Sequence, residues 1–195
     1  MRVFPIAASI AACVLSQGCV RDAEEEICPA LAKGDLIVTE IGGPQTGNDV
    51  LVPWIELYNA TTGTIDLRGV KVRFRRPDGS DEISILVRRS LPAAAGSYTV
   101  LGLDEDGELE TYLDYSFAVD YQGSWLSAAA IDVEVCGGQI NRARYDSLPR
   151  TGTYSLGTMP PDPDATQDPT KWCTDTTTNN GSFPGTPKRA NTACP

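Results

Sequence analysis

Asp35-Leu-Ile-Val-Thr-Glu-Ile41, Trp54-Ile-Glu-Leu-Tyr-Asn59 and Ile65-Asp-Leu-Arg-Gly-Val70 are three short runs rich in β-branched and aromatic residues. Gly-, Pro-, Asn- and Thr-containing stretches separate them, and that pattern is the mark of antiparallel strands joined by turns. Leu36 to Ile41 carries apolar residues on both faces, as a strand buried between layers does. Trp54 to Tyr58 alternates Ile55 and Leu57 with Trp54, Glu56 and Tyr58. Asn59 and Gly63 supply turn chemistry, because both tolerate left-handed backbone. Glu40 and Glu56 fall inside these strands and are expected to share a structural hydrogen-bond network.

The same grammar continues downstream. Val70, Val72 and Phe74 alternate with Lys71, Arg73 and Arg75, a half-buried strand with a cationic outer face. Pro77-Asp-Gly79 turns the chain, and Ile83, Ile85 and Val87 form the next apolar face, ending at Arg88-Arg89. The basic residues at 68–76 and 88–89 are expected to pair with nearby acids rather than to form a patch for acidic polymers. Pro92 and Gly96 fix a turn that delivers Tyr98 and Val100 back into the sheet. Tyr112, Tyr115, Phe117 and Tyr121 lack helical spacing and predict an irregular strand with a packing loop. Ile131-Asp-Val-Glu-Val-Cys136 has period two, Gly137-Gly138 suits a two-residue hairpin turn, and Gln139 to Tyr145 returns as partner. After Leu148 apolar residues thin out. Met159 to Pro169 is Pro- and Asp-rich and predicts a surface loop with no regular element, and Trp172 is expected to cover the core. No amphipathic helix of useful length is present, so the fold expected for 34–195 is an all-β sandwich.

Several of these motifs resemble the lamin-tail domain family. Trp54-Ile-Glu-Leu-Tyr-Asn59 is similar to the family's most recognisable run. Leu91-Pro-Ala-Ala-Ala-Gly-Ser-Tyr98 resembles its turn of Leu or Ile, Pro, small residues and Gly before an aromatic-led strand. Asn141-Arg-Ala-Arg-Tyr145 matches loosely. Gly185-Thr-Pro-Lys-Arg-Ala-Asn191 resembles the family's Gly-Thr-Pro-Gly-x-x-Asn ending, with Lys188 where Gly is usual. The resemblance spans Asp35 to Asn191. It implies an immunoglobulin-like β-sandwich acting as an accessory interaction or structural module without catalysis.

The N-terminal segment reads as a processing signal. Arg2 precedes thirteen apolar or small residues, Val3 to Leu15, too few for a membrane-spanning helix but suited to export. Leu15-Ser-Gln-Gly-Cys19 is similar to a bacterial lipoprotein cleavage site, which makes Cys19 the expected lipidation site. Ser16 stands in the usual aliphatic place. Ile10-Ala-Ala-Cys13 fits the local pattern but leaves a very short signal, and a plain secretory signal is the remaining alternative. The expected organisation is a signal at 1–18, a tether at 19–33 and the sandwich at 34–195. Val20 after the cysteine suggests, by analogy with enteric sorting, an outer membrane, on its periplasmic face or at the cell surface. Removing 1–18 leaves 177 residues and takes away Arg2 alone among the charged side chains, so the net charge moves from −10 to −11.

Four of the six cysteines then remain: Cys28, Cys136, Cys173 and Cys194. An even number in an exported chain points to two disulfides. Three connectivities are possible; the favoured one joins Cys173 to Cys194 and, by exclusion, Cys28 to Cys136. With no Cys-x-x-Cys and no histidine, a zinc site is not expected, and Ser-His-Asp or Cys-His machinery and histidine metal sites are ruled out. Strong acidity argues against nucleic-acid binding. No phosphate-binding loop appears, and no cofactor, metal site or catalytic residue is expected. The expectation is a non-enzymatic, lipid-anchored cell-envelope module that binds a protein or polysaccharide through the polar loops 42–52 and 157–170. The alternatives are a calcium-dependent adhesin using Asp104, Asp106, Asp162, Asp164 and Asp168, and a glycoside hydrolase built on a carboxylate pair. Asp104 to Glu110 lacks the EF-hand pattern and reads more simply as an acidic hairpin tip.

Overall fold

A computed structural model describes residues 26–46, 52–105, 109–177 and 184–195. Cys13, Cys19 and most of the proposed signal and tether lie outside the described residues, as does Asp106.

Among the described residues, twelve strands follow in chain order. They are β1 Leu36–Gly42, β2 Trp54–Asn59, β3 Ile65–Asp66, β4 Lys71–Arg75, β5 Ile83–Leu86, β6 Pro92–Ala93, β7 Tyr98–Gly102, β8 Tyr115–Ser116, β9 Ala129–Val135, β10 Gly138–Tyr145, β11 Thr153–Leu156 and β12 Trp172–Asp175. They form a six-stranded sheet, β12-β11-β1-β2-β7-β8, a four-stranded sheet, β10-β9-β4-β5, and the small β3-β6 pair. All pairings are antiparallel except β7 with β8. The two large sheets pack as the expected sandwich. Ile55, Leu57 and Leu101 belong to one buried core with Val72, Phe74, Ile131 and Val133 of the other sheet. Each such side chain contributes about 1.5–3 kcal/mol by leaving water.

The alternation on β4 is realised as Lys71, Arg73 and Arg75 outward, and acids on β9 and the neighbouring segments meet this cationic face. Arg75 and Arg142 both bond Asp132, Arg73 bonds Glu134 at 2.7 Å, and Arg76 pairs with Asp81. Arg88 bonds Asp120. The expected face of paired charge is therefore present.

The other side of the six-stranded sheet is covered too. Trp54, Val100, Tyr112 and Leu113 make a second, smaller core there. Gly102 admits this layer, since a Cβ at that position would collide with the Leu113 side chain.

Both disulfides form in the favoured pairing, Cys28–Cys136 and Cys173–Cys194, with Cα–Cα separations of 5.6 and 5.7 Å. The first ties the N-terminal segment to the β9–β10 turn. Leu31 packs on the core and Gly34 N–H donates to Ile140 O, so the ordered fold reaches back into the segment expected as tether.

Two local expectations are corrected. The β9–β10 turn is Cys136-Gly137, not Gly137-Gly138: these two residues take φ of 48° and 76°, and Gly138 is already paired with Val135. A two-residue hairpin needs positive φ at both central positions, and Cys136 accepts one of them despite its Cβ. The Pro- and Asp-rich stretch is more ordered than a plain surface loop. It holds two 3-10 turns, Ala165–Gln167 and Pro169–Lys171, the second started by Asp168 accepting from Thr170 N–H. Thr166 is fully buried and Trp172 Nε1 donates to its carbonyl at 3.1 Å, which fastens the stretch beneath β10 and β12.

Candidate functional site

Strand direction defines two ends of the sandwich. The N-terminal segment arrives at the end where Leu36 faces Asn59, beside the Cys136 turn. The opposite end carries the loop after Gly42, the segment before Ala129 and the connection from Tyr145 to Thr153. Those three segments enclose a groove of about 590 Å³.

The groove's walls are stitched. Gln45 Nε2 donates to the carbonyls of Gly43 and Gly152, Gln45 Oε1 accepts from Gly152 N–H, and Thr46 N–H donates to Arg150 O at 2.8 Å. One side-chain amide thus locks two loops more than a hundred residues apart. Trp125 and Leu148 supply apolar floor, and Ser127, Ser147 and Arg150 stand exposed at the rim.

Trp125 is half-buried with one face backed. Tyr121 lies 5.1 Å away at 21° and Phe117 6.2 Å away at 27°. These two rings are 5.9 Å from each other, too close to flank the indole on opposite sides. Both lie to one side of the indole, Phe74 packs 5.2 Å away at 67°, and Trp125 lines the groove. A neighbouring depression of about 420 Å³ shares Ser147 and is lined by Tyr154, Gln167 and Pro169. Tyr154 is itself backed by Trp172 at 4.9 Å and 10°. Pro44, Gln45 and Thr46 of the first loop singled out from the sequence, 42–52, and Gln167 and Pro169 of the second, 157–170, therefore line adjoining depressions.

Glu40 and Glu56 are directly opposed across β1 and β2, and both are fully buried. A C-terminal strap covers them. Glu40 accepts from the hydroxyls of Thr153 and Ser155 and from Thr186 N–H, and Glu56 accepts from Thr39 Oγ1 and from Lys188 N–H at 2.7 Å. Gly185 lets the strap approach, because a Cβ there would run into Glu40 Oε1. Lys188 holds a φ of 64° and reaches Asp114 at 2.9 Å.

Asn191 Nδ2 donates to the carbonyls of Thr39 and Leu156, and the Thr186 hydroxyl lies within donating distance of both Asn191 Oδ1, at 3.1 Å, and Glu40 Oε2, at 3.3 Å. Burial pushes Glu40 up, with the Asp175 charge adding to it against the opposing donors. Burial first and the Glu40 charge second push Glu56 well above the usual carboxylate range. Asp175 Oδ2 is buried without a hydrogen-bond partner among the described residues.

The remaining acids named from the sequence do not come together among the described residues. Asp162 Oδ1 accepts from Asp164 N–H, Asp168 Oδ1 accepts from Thr170, and Asp104 Oδ2 accepts from Glu110 N–H. Among the described residues one trio of potential ligands converges, Glu26 with Cys28 and Cys136, and its two sulfurs are joined in a disulfide. A cavity of about 220 Å³ lies at that end, bordered by Arg68, Lys71 and Arg88 together with Glu26.

The chain matches no model of a known protein family and no curated protein sequence.

Proposed function

We propose that this chain is an exported, lipid-anchored, non-enzymatic binding module of the cell envelope, with a lamin-tail-like sandwich as its scaffold. The observation that carries the reading is the polarity of the molecule. The N-terminal segment joins one end, and the stitched groove lies at the other, about 20 Å away along a seven-residue strand. With Cys19 in the membrane, the seven residues from Val20 to Glu26 span at most about 25 Å. Such a tether holds the domain near the bilayer and turns the groove away from it. Rigid sandwiches commonly present recognition on loops at one end, and the two disulfides suit an oxidising compartment.

A binding role is favoured over hydrolysis by the state of the opposed carboxylates of Glu40 and Glu56. Glu40 and Glu56 lie under the strap with their oxygens occupied, whereas a glycosidase holds its two acids on either side of an open cleft. The calcium-dependent alternative finds less support, because Asp162 and Asp168 already accept backbone N–H groups in their own turns.

Two measurements test the proposal. Cys19→Ala should release the protein from the membrane fraction or leave its precursor unprocessed, and wild type and variant fractionating alike would refute the anchor. Envelope cross-linking from a photoreactive residue at position 147 should capture a ligand that the same residue at position 78, on the far side of β4–β5, does not. Equal capture from both positions would refute the groove as the binding end.

A further inference from the structure

We propose that the two adjoining depressions bind a polysaccharide carrying spaced carboxylates, a chain of uronic acid and neutral sugars. This rests on the binding-module reading above and names the ligand class for the same site. Each depression is lined by one partly exposed aromatic ring stacked on another, Trp125 on Tyr121 and Tyr154 on Trp172. A ring so supported is a rigid platform for the apolar face of a sugar, and it loses little side-chain freedom on binding. Two platforms on either side of Ser147 suit an extended chain of at least two rings rather than a compact ligand. The rim hydroxyls of Ser127 and Ser147 both donate and accept, as sugar hydroxyls require.

The charge at the rim selects the sugar class. Arg144 is paired with Asp146 at 3.3 Å, whereas Arg150 has no carboxylate within ion-pair distance among the described residues. The Arg150 backbone is fixed by Thr46, so its guanidinium projects from an anchored Cα and can take a carboxylate through two parallel N–H groups. A chain of net charge −10 repels a densely charged polyanion. One free arginine beside two platforms therefore favours widely spaced carboxylates over a sulfated polymer. Polyproline peptides are less well matched, since their docking grooves are aromatic-lined and need no unpaired cation.

The test is isothermal titration of the full chain with an unsulfated hyaluronan hexasaccharide, maltohexaose and a proline-rich dodecapeptide. The expected result is binding of the uronate-containing hexasaccharide in preference to maltohexaose. Arg150→Gln should weaken the acidic probe by about tenfold and level the preference. Ser147→Trp, an exposed rim position, should abolish both without changing the melting temperature. Trp125→Ala should also abolish both, but its packing on Tyr121 makes Ser147→Trp the decisive variant. Wild type binding neither saccharide overturns the proposal, as does binding indifferent to Arg150→Gln and Ser147→Trp. Binding of the peptide alone, lost in Ser147→Trp, overturns the saccharide assignment and leaves the binding-module reading standing. Shortening of the hexasaccharide during the titration overturns the non-enzymatic reading itself.

Discussion

Glu56→Gln should make the protein more stable at pH 8 and leave it nearly unchanged at pH 5. Two unit charges about 5 Å apart, the usual Cβ spacing of directly opposed residues, repel by about 3 kcal/mol at an effective dielectric of about 20. Glutamine keeps the volume and the bonds: its oxygen can accept from Lys188 N–H while its amide donates to Thr39 Oγ1, whose hydroxyl can turn. Allowing for one weaker bond, the gain at pH 8 is about 2 kcal/mol, or roughly 4–8 °C for a domain of this size. The sign follows from linkage. Glu40 and Glu56 have folded pKa values raised above 4.5, so the folded state holds more protons and their contribution is greatest below 4.5, fading as pH rises through the folded values. The neighbours facing the pair are Asp175, Asp114, Lys188 and Tyr98, the last pushed up to about 12 by burial and by the Glu56 charge. Asp66, Asp78 and Asp168 are lowered by hydrogen bonds and act in the opposite sense, but in a window below 3.8. Thermal melts of wild type and Glu56→Gln between pH 5 and 8 provide the assay. A loss of stability at pH 8, or an equal shift at both pH values, would show that the Thr39 and Lys188 donors hold Glu56 charged, which sinks the argument.

Replacing Cys173 and Cys194 together by serine should lower stability by about 3 kcal/mol, the chain-entropy value for a loop of 21 residues, read as a fall in the urea midpoint; an unchanged midpoint refutes it. Lys188→Gly should stay within about 0.5 kcal/mol of wild type, because relief of a left-handed φ offsets the loss of the Asp114 pair, while Lys188→Val should cost about 2 kcal/mol. Chemical denaturation ranks the two, and Val tolerated as well as Gly contradicts the strained backbone. Asp132→Ala should cost about 2–3 kcal/mol, since it strands Arg75 and Arg142 beside a buried position, whereas Asp146→Ala, whose pair with Arg144 is exposed, should cost almost nothing. Equal effects of the two would contradict the difference in burial.

The strands were legible because burial on one face writes period two into the residues, as Val72 and Phe74 against Arg73 and Arg75 show. The hairpin turn falls one residue earlier than the glycines indicate, because Cys136, a residue whose type carries no turn signal, adopts the first positive φ. The order within 157–171 was missed for a different reason. Proline forbids long elements, but Asp168 and Pro169 together start a 3-10 turn too short for any periodicity to reveal. The acid pair was placed in a network from strand position alone, yet its partners Thr153, Ser155 and Thr186 stand 113 to 146 residues beyond Glu40. No local pattern encodes such a distance; only the Gly-Thr-Pro-Lys-Arg-Ala-Asn ending hinted that the strap had a fixed destination. The groove was half visible. Loop 42–52 was singled out, while Trp125 and Arg150 sit in segments whose meeting depends on both sheets being assembled.

The fastenings share a direction. The Cys28–Cys136 bridge and the close approach of Gly69 to Ile27 O clamp the incoming chain onto the four-stranded sheet. Cys173–Cys194, the acid pair and Asn191 clamp the outgoing chain onto the six-stranded one. The described segment from Ile27 and the strap that ends the chain are thus held by covalent or buried polar ties against the sandwich itself. The groove, by contrast, is closed among the described residues by Gln45 and by a backbone bond from Thr46. A protein so built is most firmly fastened at these two segments, and the groove proposed for recognition relies, among the described residues, on the Gln45 amide and the Thr46 bond. Gln45→Ala should therefore weaken ligand capture at the groove while shifting the melting temperature by less than about 3 °C, the outcome of losing part-buried bonds worth about 1 kcal/mol net. A large fall in melting temperature with capture unchanged would place Gln45 in the scaffold instead and detach the groove from its proposed role.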